Sequence, residues 1–306
     1  MITCFDIGGT AIKSARATSP DDIQALGRVP TPRDDFEAFA ATIGRIATEA
    51  TGNDNSLIAI SLAGVVDSDT GCITCANIPC INGRRLAADL EEALKRPVLI
   101  ANDADCFALA EAMMGAGRGH RVVFGAILGS GVGGGVIIDG KILTGAGGFA
   151  GEWGHGPISK TLAGDPSVAI PRFACGCGQT GCIDAICSAR GLEKLHHYLH
   201  GIEASSTEII NAWTSGDAQA ARTIDCHVDI LSDALALVVN VLGASIVPVG
   251  GGLSNSLPLI ERIDAAVRRR ILRKTDTPLV VQAQCRIEPG LIGAGLLGLD
   301  YENTSI

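Results

Sequence analysis

Aromatic residues are scarce in this chain: seven Phe, two Tyr and two Trp make up 4% of 306 residues. Stacking platforms are therefore few, and single-stranded nucleic acid, which is held on such platforms, is a poor match. Charge is also thin, at 19% of residues, and the net value of −9 offers no concentrated basic face to a nucleic-acid backbone. No run of about 20 apolar residues is present to span a bilayer. The opening MITCFDIGGT has neither the basic start nor the long apolar core of a secretory signal. A cytoplasmic protein without membrane or nucleic-acid partners is expected. Eleven scattered cysteines, an odd number, fit small buried hydrophobes in reducing surroundings better than a disulfide framework. Two nucleotide signatures are missing too: no G-x-x-x-x-G-K-[ST] occurs, and no G-x-G-x-x-G with a downstream ribose acid follows the first apolar run.

What the chain has in quantity is apolar residues, 47%, and glycine, 39 residues. The first supports two α/β lobes with sizeable cores; the second supplies tight turns where backbone approaches a ligand. Residues 2–7 read as a buried strand that turns at Gly-Gly-Thr into an alternating strand from Ala11 to Ala17, a hairpin. Asp34 is placed to cap a helix whose Phe36, Phe39, Ile43 and Ile46 share a face. Strands follow at 57–63 and 98–101, the second running into a helix that opens at Asn102 or Asp103. The opening pattern then repeats: strand 121–129, the turn SGVGGG and the strand GVIIDG form a second hairpin. An apolar helix around 224–242, a strand ending at Gly250-Gly-Gly252 before a helix, and a closing helix GLIGAGLLGL complete the reading. The repeat divides the chain into residues 1–103 plus 293–306, and residues 104–292.

Three glycine turns carry the nucleotide chemistry. Asp6-Ile-Gly-Gly-Thr10 places a carboxylate at a strand end, suited to hydrated Mg²⁺, beside the amides of Gly8 and Gly9 and the Thr10 hydroxyl. An ordinary tight hairpin would look the same. The turn Gly129-Ser130-Gly131-Val132-Gly133-Gly134-Gly135 has more glycine than a hairpin requires and reads as a phosphate loop. Gly250, Gly251 and Gly252, followed by Leu253, precede a helix where a nucleotide can sit, or where glycines merely permit close packing. Together they fit ATP held in a cleft between lobes. Asp103, at a strand-to-helix joint, is either only a helix cap or the acid that accepts a nucleophile's proton in phosphoryl transfer.

The stretch CGCGQTGC sets Cys175, Cys177 and Cys182 within eight residues. One intervening residue strongly disfavours a Cys175–Cys177 disulfide, and the glycines let several thiolates turn inward. His155, the nearest upstream histidine, completes a Cys₃His set expected to hold a structural Zn²⁺; reduced surface thiols are the alternative. Cys72, Cys75 and Cys80 lack turn glycines and a nearby His, and His196 with His200 lack the acid of an H-E-x-x-H motif, so the histidine pair is expected on a solvated helix face.

With Asp6-Ile-Gly-Gly-Thr10, the Gly129–Gly135 loop, Gly151-Glu-Trp-Gly-His155 and the cysteine stretch in this order, the chain resembles the ROK sugar kinases over nearly its whole length. The resemblance implies an α/β, two-lobe actin-like ATPase (ribonuclease-H-like) fold, Mg-ATP as donor, and transfer to the 6-hydroxyl of a hexose. N-acetylglucosamine is the favoured acceptor, with glucose, fructose or N-acetylmannosamine as alternatives. It further implies Asp103 as general base and Asn102, Glu152, His155 and Asp184 as sugar contacts, with Gly64 and Asn77 nearby, and a homodimer. Ala11 stands where the family commonly has Lys, removing one positive charge near the phosphates, and Asp184 where Glu is usual. A sugar-sensing repressor of the same family would carry a helix-turn-helix before the first glycine turn, for which the five residues before Asp6 leave no room.

Overall fold

The computed structural model describes residues 1–52, 55–285 and 288–304. The chain forms two compact units: residues 1–114, 140–150 and 285–306, and residues 115–139 with 151–284.

The first unit is built on a five-stranded sheet in the order Asp22–Pro30, Ala11–Ser19, Ile2–Ile7, Ile58–Leu62, Val98–Asn102. The first three strands are antiparallel, and the last two run parallel to Ile2–Ile7. Alternation along the central strand sorts its side chains. Phe5 and Ile7 pack with Phe39, Ile43 and Leu90 on one face, whereas Ile2 and Cys4 pack with Leu291 and Ala294 on the other. Both faces are thus covered by helices, as a strand of almost uninterrupted buried residues demands. The helix Pro289–Thr304 approaches closely because it is rich in small residues: a Cβ on Gly293 would lie 2.1 Å from the Cys106 carbonyl oxygen. Asp35, not Asp34, caps the helix Phe36–Thr51, accepting from the Ala38 amide. Asp34 lies one residue too early for its carboxylate to take that role. The strand Asp22–Pro30 was not foreshadowed by apolar alternation, since most of its residues are exposed.

The second unit repeats the plan. Val122–Leu128 and Val132–Ile138 form an antiparallel hairpin, and Val247–Gly250 and then Val280–Gln282 extend the sheet in parallel. The core is completed by the helices Ala189–His200, Ser206–Thr214, Ala218–Leu242 and Leu257–Arg270. Asp217 caps the 25-residue helix through the Ala220 amide, a contact worth about 1 kcal/mol, and Gly243 ends it in the left-handed conformation. His196 is buried, its Nδ1 2.8 Å from Thr223 Oγ1, rather than on a solvated face. The helix Ala189–His200 turns that side towards Ala218–Leu242, and the hydroxyl satisfies the ring. No helix among the described residues is long and apolar enough to cross a membrane.

Candidate active site

The residues singled out from the sequence divide between the units. Asp6, Gly8, Gly9, Thr10, Gly64, Asn77, Asn102 and Asp103 belong to the first; the Gly129–Gly135 loop, Glu152, His155, the three cysteines, Asp184 and Gly251 to Leu253 belong to the second.

In the first unit the parallel strands end side by side. Asp6, one residue before the end of its strand, pairs with Ser61, whose hydroxyl donates to Asp6 Oδ1 at 3.2 Å. Across the hairpin, Lys13 lies directly opposite Asp6, with Nζ 3.3 Å from Asp6 Oδ2 and 2.6 Å from Glu288 Oε2. Burial opposes the ammonium charge, but Glu288 and Asp6 outweigh it and hold the Lys13 pKa above its ordinary value. Lys13, two residues after Ala11 on the same face of the strand, thus has its charge committed to these two carboxylates. In the adjoining turn, Gly8 accepts from the Thr31 hydroxyl at 2.7 Å, and a Cβ on Gly9 would lie 2.9 Å from Asn77 Cβ. The bare glycine backbone is what lets Asn77 reach the turn.

At the next joint, Asn102 ends its strand and Asp103 opens the helix Asp103–Met114. Asn102 takes a cap's work: its Oδ1 accepts the Ala104 amide at 2.8 Å, while its Nδ2 donates to the Gly64 carbonyl at 3.0 Å. Asp103 Oδ1 also accepts from Ala104, at 3.0 Å. Asn102 borders a cavity of about 560 Å³ within this unit, whose walls include Leu99, Leu109, Met113 and Leu296. Asp103 does not line that cavity, and its largely apolar wall is a poor surface for sugar hydroxyls.

In the second unit, two of the glycine turns meet. Gly251, at φ +84°, sits so close that a Cβ there would lie 2.5 Å from the Leu128 carbonyl and 2.7 Å from the Gly129 nitrogen. Around this junction lies a cavity of about 390 Å³ bordered by Gly129, Ser130, Gly252 and Leu253. Its remaining walls come from residues the sequence reading did not single out: Arg190 and Glu193 on the helix Ala189–His200, Ser206 and Thr207 at the start of the next helix, and Asn255. Glu193 Oε1 is held by the Ser206 amide at 2.8 Å. A short 3₁₀ turn, Gly252–Asn255, separates the third glycine turn from the helix Leu257–Arg270, so that helix does not start at the glycines. Gly134 has a packing role: a Cβ there would lie 2.8 Å from Phe124 and 2.9 Å from Trp153.

His155, Cys175, Cys177 and Cys182 come together with all four donor atoms within 4.8 Å of one another. Cys175 Sγ lies 3.7 Å from His155 Nδ1, and Cys177 Sγ 3.7 Å from Cys182 Sγ. Tetrahedral Zn²⁺ with ordinary Zn–S and Zn–N bonds has edges of about 3.5–3.8 Å, which these two pairs match, and three thiols with an imidazole are the donor chemistry of a structural zinc. The outer ring nitrogen, Nε2, lies 3.7 Å from Glu152 Oε2, just beyond hydrogen-bond length. The thiols are electrostatically unequal. Hydrogen bonding from the Gln179 backbone chiefly, with help from Cys175, Cys182 and His155, lowers the Cys177 pKa to about 7, whereas burial pushes Cys182 up to about 12. Two residues after Cys182, Asp184 Oδ1 accepts the Val132 amide at 2.7 Å, joining the cysteine loop to the glycine loop.

Against known proteins, the ROK family model matches residues 2–300. This chain belongs to the ROK family. It is 37% identical over 296 residues to the N-acetylgalactosamine kinase AgaK of Shewanella sp. (strain ANA-3), covering 96% of this chain and 95% of the relative. It is 36% identical to the N-acetyl-D-glucosamine kinase of Photobacterium profundum, with 96% and 98% covered. Among solved structures, the ROK hexokinase of Thermus thermophilus superimposes with a TM-score of 0.84 at 29% identity, covering 99% of each chain. With this family comes the two-lobe actin-like ATPase fold, to which the duplicated sheets described above correspond.

Proposed function

We propose that this ROK protein is an ATP-dependent sugar kinase that phosphorylates the 6-hydroxyl of N-acetylglucosamine. What carries the reading is the match, over 96% of the chain, to proteins named as N-acetylhexosamine kinases. The residues named above supply the parts such a reaction needs.

In this reading the first unit serves the acceptor. Asp103 takes the 6-hydroxyl proton as that oxygen attacks the γ-phosphorus, and ADP leaves with the electron pair of the broken P–O bond. Asn102, bound to both Gly64 and Ala104, fixes the strand end from which Asp103 projects. Gly8, Gly9 and Thr10 contribute turn amides and a hydroxyl to phosphate oxygens. Asp6 fits hydrated Mg²⁺, being a partly exposed carboxylate beside the Ser61 hydroxyl. Bound with ATP, Mg²⁺ neutralises charge on the β- and γ-phosphates. The second unit serves the donor through the Gly129 to Gly134 amides and through Gly251, Gly252 and Leu253. Glu152, His155 and Asp184, the last through Oδ2, are assigned to sugar hydroxyls. His155, Cys175, Cys177 and Cys182 would hold a zinc whose part is to brace the loop rather than to act on substrate. The active form is assigned as a homodimer in the cytoplasm.

A second reading, N-acetylgalactosamine as acceptor, is favoured by the Shewanella relative. The two sugars differ only in the configuration at C4. A coupled ADP-release assay with Mg-ATP, run against both sugars, N-acetylmannosamine, glucose and fructose, decides between them. The proposal expects kcat/KM for N-acetylglucosamine to exceed every other sugar by at least about tenfold, some 1.4 kcal/mol. A preference for an unsubstituted hexose overturns the assignment.

A further inference from the structure

We propose that Asp184 is a positioning residue for the nucleotide: it holds the Gly129–Gly135 loop in its phosphate-binding shape and ties that shape to the cysteine–histidine cluster. This rests on the nucleotide reading of the loop given above.

The turn that opens the loop, Gly129 to Val132, is tied at both ends to one short stretch of chain. Its far end is held by Asp184 Oδ1, which accepts the Val132 amide at 2.7 Å. Its near end is held by the Ala189 amide, which donates to the Gly129 carbonyl at 2.8 Å. Between the ties, Gly129 donates to the Gly131 carbonyl at 2.9 Å and closes the turn, leaving Ser130 exposed at its tip. Gly131 shows how closely the carboxylate is engaged: a Cβ there would lie 2.9 Å from the same Oδ1. A Cβ at 131 would therefore press on the carboxylate behind the loop, whatever binds in front of it.

Asp184 also reaches back to the cluster. It lies two residues after Cys182, on the helix Ile183–Cys187, and Cys175 Sγ is 3.8 Å from its Oδ2. The Ile183 amide donates to the Gly156 carbonyl at 2.9 Å, fastening the same helix to the segment that bears His155. One carboxylate therefore touches a thiol of the cluster with one oxygen and the glycine loop with the other. Direct contact with ATP phosphates would be repulsive for a carboxylate. Its effect on the nucleotide must pass through the Val132 amide, and a charge-assisted hydrogen bond of this length is strong enough to set a loop of glycines.

The test is isothermal titration calorimetry of AMP-PNP and, separately, N-acetylglucosamine with wild type, Asp184→Ala and Asp184→Asn, each checked for its melting temperature. Asp184→Ala removes the acceptor and is expected to weaken AMP-PNP binding by about tenfold, whatever it does to the sugar contact assigned to Oδ2. Asp184→Asn keeps an acceptor oxygen and restores most of the nucleotide affinity. Gly131→Ala crowds the same oxygen from the loop side and does not depend on how Asp184→Ala folds. It should weaken AMP-PNP to a similar extent, and the double variant should be no weaker than either single one. Additive losses, or a loss confined to the sugar, overturn the tether. If wild type binds AMP-PNP and Asp184→Ala binds it equally well, only the tether fails. If wild type binds none, the nucleotide reading of the loop fails first.

Discussion

The side-chain amide of Asn102 donates to the Gly64 carbonyl at 3.0 Å, while the oxygen of the same group accepts the Ala104 amide at 2.8 Å. One planar group thus bridges a neighbouring loop and a helix start, and fixes the backbone one residue before Asp103. Replacing it with Ala removes a cap and a bridge together. Asn102→Ala is expected to cost about 1–3 kcal/mol of stability and to lower kcat through misplacement of Asp103. Urea unfolding and steady-state kinetics measure the two losses; an unchanged kcat would show that Asp103 is positioned without it.

The Lys13 ammonium lies between Asp6 and Glu288. Lys13→Met leaves those two carboxylates facing the turn assigned to ATP phosphates, and the expected result is a rise of about threefold to tenfold in KM for Mg-ATP with KM for the sugar unchanged. The effect should shrink at high salt, because these groups are only partly buried. A rise in the sugar KM alone would contradict the placement.

The four donor atoms of the cysteine–histidine cluster imply one zinc per chain, measurable by plasma emission on protein purified without added metal. Cys177→Ser should lower the zinc content and the melting temperature together, as expected when a metal closes a loop in the folded state only. Stoichiometric zinc in that variant, or zinc-free wild type of full thermal stability, would rule out a structural metal there.

Two buried histidines make the second unit sensitive to acid. Burial lowers the pKa of His227, and burial together with the neighbouring His200 lowers that of His196. In the unfolded chain each imidazole takes up a proton below about pH 6.5, which the folded ring refuses. Stability is therefore full above that pH and falls as pH drops, by up to about 1.4 kcal/mol per pH unit per histidine, until the folded ring itself protonates. His227 Nε2 lies 3.0 Å from the Cys187 carbonyl, so that nitrogen carries the hydrogen, and Nδ1 has no partner among the described residues. His227→Gln keeps a donor but cannot titrate. Urea midpoints measured between pH 8 and pH 5 should fall less steeply in that variant than in wild type; equal slopes would mean that other groups set the acid limb.

What could be read ahead of the structure was local. The two hairpins with glycine turns were legible because each is a contiguous stretch of alternating and turn-forming residues. The cysteine loop announced its donor set because three ligands fall within eight residues. Features that depend on distant packing were not legible. The strand Asp22–Pro30 is mostly exposed and has no buried alternation to reveal it. His196 was assigned to a solvated face because only the packing of Ala218–Leu242 brings Thr223 to it. Arg190, Glu193 and Ser206 border one cavity although they lie more than 50 residues along the chain from the glycine loop, and nothing local marks them. The pairing of Lys13 with Asp6 becomes visible only once the register sets the two opposite each other.

Asp103→Asn tests the central claim most directly. The measurement is a rapid-quench single turnover with saturating Mg-ATP and N-acetylglucosamine, with sugar binding determined in parallel. Asparagine keeps the shape but cannot accept the hydroxyl proton, so the account predicts a transfer rate lower by about 10²-fold or more with sugar affinity within a few-fold of wild type. Transfer at a near-normal rate would contradict it.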